Sequence, residues 1–399
     1  MSAPRAQASV NLAALERNCS RLRSELRAGA ELCAVVKADG YGHGAAHSAG
    51  AALAGGASWL AVASAQEARE LREAGLREAH ILVMGALSLS EVREALAVNA
   101  DVVVWSERYV RAVAEAGGGR VHVKLDSGMG RLGTRDSGEA SRVLAAARAT
   151  RGVQPVGLMS HFATADDLQD DGFFARQLDT FARWARELKV EQPELIVHAA
   201  NSAATLRDAD AQFDMVRCGI ALYGMDPFGV DPATRALEPV LELSSYVAEV
   251  KGCRAGESAG YGRRFVAQRD TYLGVLPIGY GDGLRRGLSN NGEVLIGGRR
   301  YPLVGTVSMD NVTIDLGAAA SAERLRGEPA ILIGFQGNER ITAEDLARRL
   351  DTINYEITCL LTPRVPRVYH RDGEALEQAA ARSSATAPQA GAWIPARDG

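Results

Sequence analysis

The chain has 399 residues, 47% hydrophobic and 24% charged, with a formal net charge of −4. This is ordinary soluble globular composition, long enough for two domains or one large barrel with an addition, and it offers no basic excess for nucleic acid or an anionic membrane. Five cysteines, odd in number and without a CxxC pair, argue against a disulfide framework or a zinc site and for a reducing compartment.

The N-terminal MSAPRAQASVNLAAL lacks the apolar core of a signal peptide, and no stretch approaches 18 apolar residues, so a cytoplasmic protein is expected. Over 12–28, Leu12, Leu15, Cys19, Leu22 and Leu26 keep a three-four spacing that predicts an amphipathic helix, with Asn11 as its cap. Short apolar runs follow at 32–36, 58–62, 80–83, 101–104, 120–125, 153–158, 194–197 and 213–216. Helical pattern separates them, and Ser64-x-x-Glu67 and Ser88-x-x-Glu91 form capping boxes. Eight runs in about 220 residues predict an α/β fold, an N-terminal (β/α)8 TIM barrel assigned to residues 1–235. The texture then changes to runs at 242–250, 271–276, 293–297, 301–304 and 311–316 between Gly-rich turns, with one clear helix at 342–350. That predicts a mainly β C-terminal domain over 236–375. Residues 376–399 mix Ala, Ser, Pro and Gly without period and are expected to form a flexible tail.

In such a barrel chemistry gathers at the C-terminal ends of the strands. Lys37 follows strand 1; Lys124, Asp126 and Arg131 follow strand 5; His161 follows strand 6; Asn201 and Ser202 follow strand 7; Arg217 and Gly219 follow strand 8. Taken singly, each has a structural explanation: a loop salt bridge (Arg217 with Asp214, for example), a core histidine, a turn glycine. Five strand ends carrying such residues on one face weigh against coincidence. A lysine at an apolar strand end loses basicity through desolvation and becomes a Schiff-base nucleophile, for a sugar, a keto acid or pyridoxal phosphate (PLP). Ser202 and the backbone around Gly219 and Ile220 suit a phosphate, which does not separate PLP from a phosphosugar.

The segment "AVVKADGYGHG" resembles the PLP-attachment motif of the alanine racemases. The resemblance continues in order through "VKLDSGMGRLG", "SHFATADD", "HAANSAATL", "VRCGIALYG", "SAGYGRRF", "PIGYGDGLRR", "GTVSMDNVTID" and "TINYEITCLLTPRVPRVY", covering about residues 5–370. It implies a PLP-dependent racemase that interconverts L-alanine and D-alanine by two bases, Lys37 and the Tyr261 of a partner subunit, and so supplies D-alanine for peptidoglycan. The active unit it implies is a homodimer with shared active sites. PLP contacts carried over are Lys37, Tyr41, Arg131, His161, Asn201, Ser202, Arg217, Gly219, Ile220 and Tyr355. Arg131 and Met309 would bind substrate, and Tyr280, Asp310 and Tyr355 would stand at the mouth of its corridor. Lys124 matches the family's carbamylated lysine (N6-carboxylysine). His161 and Arg217 are expected to support the Tyr261 phenolate by positive charge and hydrogen bonding, and no metal, nucleic-acid or membrane partner is implied. Ser127 and Ser308 stand where other members often carry Thr or Cys.

Arg217 carries its own chemical argument: a guanidinium only donates, so it leaves a pyridine nitrogen unprotonated, where most PLP enzymes place a carboxylate. That weighs against a barrel-fold PLP decarboxylase, which uses a glutamate there. A non-catalytic PLP-homeostasis protein resembles the barrel alone and leaves residues 235–370 unexplained. A serine or broader-specificity racemase remains the nearest alternative.

Overall fold

The computed structural model describes residues 4–376; of the tail expected at 376–399, all but Leu376 lie outside the described residues. The first strand, β1 (Ala6–Asn11), leads into α1 (Leu12–Ser24), whose cap is Asn11, with its side-chain oxygen accepting from the Ala13 and Ala14 amides at 3.1 and 3.4 Å. Eight parallel strands follow: β2 (Glu31–Val35), β3 (Trp59–Val62), β4 (His80–Val83), β5 (Asp101–Val104), β6 (Gly119–Lys124), β7 (Val153–Met159), β8 (Ile196–His198) and β9 (Met215–Cys218). They correspond one to one with the eight apolar runs. Such strands are buried on both faces, by the barrel interior and by the helices outside, so they read as continuous apolar stretches. The sheet runs from β8 through β7 to β2 and then β9. Between its two ends, the Asp214 amide donates to Val197 O at 3.0 Å and the Arg217 amide to Ala200 O at 2.9 Å, which bring β9 against β8. Both capping boxes form as expected, at Ser64 and at Ser88.

The second sheet has eleven strands and is mainly antiparallel. The run expected at 242–250 is two strands, Leu241–Tyr246 and Glu249–Cys253, broken at Val247–Ala248. Further elements went unexpected, among them the strands Pro329–Gln336 and Arg367–Arg371 and the helix Asn354–Cys359. The larger departure is β1. Ala6–Asn11 falls within the stretch assigned to the barrel, yet it pairs antiparallel with Leu241–Tyr246 and parallel with Arg367–Arg371, inside the second sheet. Its alternation of buried Ala6, Ala8 and Val10 with partly exposed partners is that of a strand covered on one face. Among the described residues, no helix is long and apolar enough to cross a membrane.

Candidate active site

The glycines after Lys37 build a rare piece of backbone. Ala38, Asp39, Gly40 and Tyr41 all have φ between 51 and 60°, a single turn wound left-handed. Each L-residue in that conformation costs roughly 1–2 kcal/mol, so the turn persists only because its surroundings hold it. Glu67 accepts from the Ala38 amide at 2.7 Å with one oxygen and from the Ala63 and Ser64 amides with the other. Asp39 accepts from the Ala45 amide at 2.9 Å, and Arg367 donates to Gly42 O at 3.0 Å. Gly42, at φ 83°, lies so close to the C-terminal domain that a Cβ there would stand 2.1 Å from Thr358 O. The turn thus points Lys37 back over the barrel mouth.

There it lines a cavity of about 380 Å³. The wall brings together eleven of the expected site residues: Lys37, Tyr41, Lys124, Arg131, His161, Asn201, Ser202, Arg217, Gly219, Ile220 and Tyr355. Val35, Ala63, Met84, Gly85, Leu132 and Met159 complete it. Four basic side chains therefore face one space, and no described residue of the wall is a carboxylate. Burial, and then Arg131, lower the Lys37 pKa. Burial, and then Arg217 and Arg131, bring Lys124 down to about 7. Both amines are accordingly easier to deprotonate than an exposed lysine. Arg217 falls only to about 10, mainly through burial, and stays a cation at neutral pH.

Arg217 is held by four partners. Its Nη1 donates to His198 Nδ1 at 2.7 Å, and the two hydrogens of its Nη2 are shared among Ser160 O and Ala199 O, both at 2.9 Å, and His161 Nδ1 at 3.1 Å. Asp214 is not among them; it pairs with Lys189 at 2.6 Å. His161 departs from expectation. Burial, reinforced by Arg217 and Arg131, holds its pKa well below the ordinary histidine value. His161 is therefore neutral and can offer an N–H but no positive charge, which leaves the charge to Arg217.

Ser202 opens the short helix Ser202–Arg207, and its hydroxyl accepts from the Gly219 amide at 2.9 Å and the Ala221 amide at 3.4 Å. Its own proton is left to donate. Asn201 spends its side-chain oxygen on capping that helix, through the Ala204 amide at 2.9 Å. Tyr41 stacks on Tyr223 with centroids 5.0 Å apart and stands 5.9 Å from Tyr355, and burial raises the pKa of both Tyr41 and Tyr355.

Tyr261, Met309, Tyr280 and Asp310 are not in this wall. Tyr261 is 74% exposed, Met309 52% and Tyr280 42%. Hydrogen bonds nevertheless tie their segments into one region of the second domain: Thr306 Oγ1 donates to Tyr261 O, the Tyr280 amide to Ser308 O, and the Gly281 amide to Met309 O. Arg364 pairs with Asp310 across the same surface. In the sequence Glu67 reads only as a capping-box partner, not as a support of the Lys37 turn, and His198 and the apolar wall of Met84 and Leu132 do not read as site residues at all.

The alanine racemase N-terminal domain family matches residues 10–227, and the alanine racemase C-terminal domain family matches residues 240–369. Alanine racemase 1 of Bacillus subtilis is 37% identical over 375 residues, spanning 93% of this chain and 94% of its own. The alanine racemase of Geobacillus stearothermophilus is 39% identical over 376 residues, spanning 93% and 95%. Among solved structures, alanine racemase from E. faecalis superposes with a TM-score of 0.85 at 35% identity over 92% of this chain and 98% of that one. The enzyme from D-cycloserine producing Streptomyces lavendulae gives 0.86 at 35% over 93% and 98%. Two domain families matched in order along nearly the whole length, and a shared backbone architecture, lead to one conclusion: the chain belongs to the alanine racemase family.

Proposed function

We propose that this protein interconverts L-alanine and D-alanine as a homodimer, with PLP bound at Lys37. The observation that carries the reading is Arg217, a fully donating cation buried in the same cavity as a lysine of lowered pKa. The cavity's charge suits the group: four basic side chains call for anions, which a phosphate, a phenolate oxygen and a substrate carboxylate provide. Lys37 would hold its aldehyde carbon; Ser202, Tyr355, Tyr41 and the Ile220 amide its phosphate, with Gly219, whose own amide goes to Ser202, leaving room beside Tyr41 for the close approach; Arg131 its phenolic oxygen and Arg217 its ring nitrogen. When bound, PLP supplies a sink for the electron pair left at the substrate Cα when its proton is removed.

The chain's residues do the rest. Lys37, deprotonated more easily than a free lysine, exchanges a proton at one face of Cα. Tyr261 of the partner subunit does so at the opposite face. A free tyrosine has a pKa near 10, so its phenolate needs support. His161 gives an N–H and Arg217 gives the charge. Arg131 and the Met309 backbone of the partner subunit hold the substrate carboxylate. A carbamate on Lys124 would turn a cation beside Arg131 into an anion that orients it, and the low pKa supplies the neutral amine this needs. The exposed Tyr261, Met309 and Tyr280 surface supports the second copy, since large exposed apolar groups in one region mark an interface. The proposed setting is the cytoplasm, with the D-alanine used for peptidoglycan.

Purified protein with PLP should convert L-alanine to D-alanine, read by chiral chromatography beside L-serine and other L-amino acids. Borohydride reduction and peptide mapping should find the pyridoxyl group on Lys37. A label on another lysine, or faster turnover of serine than alanine, would overturn the respective part.

A further inference from the structure

Three fully buried polar groups below the cavity have no part in the chemistry above: His198, His122 and Asp101. They stand in file. Arg217 Nη1 meets His198 Nδ1 at 2.7 Å, His198 Nε2 meets His122 Nδ1 at 2.8 Å, and His122 Nε2 meets Asp101 Oδ2 at 3.3 Å. The other Asp101 oxygen takes Arg120 Nε at 2.7 Å and Nη2 at 2.6 Å. Arg120, His122 and Lys124 alternate along β6, so the file spans the depth of the barrel from its lower rim to the cavity.

Every hydrogen bond in it has a forced direction. A guanidinium only donates, so His198 must accept on Nδ1 and carry its proton on Nε2. That proton goes to His122 Nδ1, so His122 in turn carries its proton on Nε2 and gives it to Asp101. Burial and Arg217 keep His198 neutral, with a pKa well below the ordinary value. Burial alone would raise the Asp101 pKa, but the hydrogen bonds from His122 and Arg120 more than offset it, so Asp101 is the carboxylate the file needs.

The fold also makes room for the file. The register between β6 and β7 shifts between Val121 and His122, which sets His122 opposite Gly157. A Cβ at 157 would lie 2.2 Å from His122 Nδ1. Trp59 closes the other side, edge-on to the His122 ring at 5.8 Å.

We propose that Asp101 is a positioning residue for the racemase reaction: acting through His122 and His198, it fixes the donor direction and the orientation of Arg217 at the cavity. The kinetic part rests on the function proposed above; the tautomer part does not. Asp101→Asn is the sharp perturbation. Its amide oxygen is taken by Arg120, so its NH₂ faces His122 Nε2. Both histidines must then reverse their tautomers, and a donor of His198 confronts a donor of Arg217.

In ¹⁵N-histidine-labelled holoenzyme, wild-type His122 and His198 should both be neutral with the proton on Nε2. Asp101→Asn should reverse or scramble both, and lower kcat by on the order of tenfold or more with little change in KM, as a misplaced catalytic-site group does. Adding Arg120→Leu frees the Asn oxygen to turn to His122, so the double variant should regain the wild-type tautomers and much of the kcat. A role in stability alone would make the double variant worse. Gly157→Ala keeps every polar group, displaces the His122 ring and should lower kcat similarly; it carries the test if Asp101→Asn does not fold. Unchanged tautomers in Asp101→Asn, no recovery in the double variant, or wild-type kcat in Gly157→Ala would each overturn the proposal. Wild-type protein that fails to racemise alanine yet shows the expected tautomers would overturn the function and leave the directed file standing.

Discussion

Replacing Lys124 with methionine removes a titrating amine while keeping an unbranched side chain only one atom shorter, and its effect on stability follows from the cavity. Burial, with Arg217 and Arg131, takes the Lys124 pKa from an ordinary 10.5 to about 7. In the unfolded chain the ordinary value returns. Between about pH 7 and 10.5 the unfolded state therefore binds more protons than the folded one, and stability rises with pH across that window. Below pH 7 both states are protonated and the full penalty is present. A fall of about 3.5 pH units at 1.36 kcal/mol per unit bounds that penalty at about 5 kcal/mol. Lys124→Met should be more stable than wild type at pH 6.5, by up to that amount, and the difference should close toward pH 10. Lys37 also titrates low; it is common to both proteins, so only the part of its shift that the Lys124 charge causes enters the comparison, and it acts in the same direction. Urea denaturation midpoints in carbon dioxide-free buffers measure the effect. Added bicarbonate should then stabilise wild type near pH 8, where the free amine can form a carbamate, and leave the methionine variant unmoved. Parallel pH profiles for the two proteins would refute the reasoning, because no perturbed amine would then exist at position 124.

Mixing a Lys37→Ala chain with a Tyr261→Phe chain should restore activity, since one site of the heterodimer then holds both bases; no recovery after proven chain exchange would exclude shared sites. Tyr261→Phe alone should keep α-proton exchange of D-alanine with deuterated solvent while L-alanine exchange falls about 10²–10⁴-fold, the contribution of a positioned acid/base group. Equal loss for both enantiomers would make Tyr261 structural. Glu67→Ala frees the Ala38 amide and breaks the Ser64 capping box, which should cost about 1–3 kcal/mol in urea denaturation and weaken PLP binding. Wild-type PLP affinity in that variant would mean that the left-handed turn holds without it.

The barrel was legible because strands covered on both faces are apolar throughout, and Lys37, His161 and Arg217 were legible because they interrupt that pattern at strand ends. β1 was not: AQASVN offers small residues, and its partners lie more than 200 positions away. Pro329 heads a strand and reads as a break, and the helix Asn354–Cys359, with six residues, is too short to show a period. The neutrality of His161 depends first on burial and then on nearby cations, both of which only folding brings about. The buried file was written in the sequence yet hidden: "RVHVKL" passes for an apolar run, but its Arg, His and Lys occupy alternate positions, so all three share one face of β6.

The place of β1 has a consequence for how the protein is made. Its antiparallel neighbour, Leu241–Tyr246, leaves the ribosome some 235 residues after it, and its parallel neighbour, Arg367–Arg371, more than a hundred residues later still. At about 5–20 residues per second, β1 waits roughly 10–50 s for its first partner. During that interval the barrel sequence is itself made, and by its end all eight barrel strands are available to fold, while the strand at their head still has both edges bare. The small, partly polar composition of AQASVN suits such a wait, because a short segment with little apolar surface is a poor template for the wrong strand. Cutting the chain near residue 235 to express the barrel alone would make the delay permanent, and an open edge of that kind invites association in place of a clean domain.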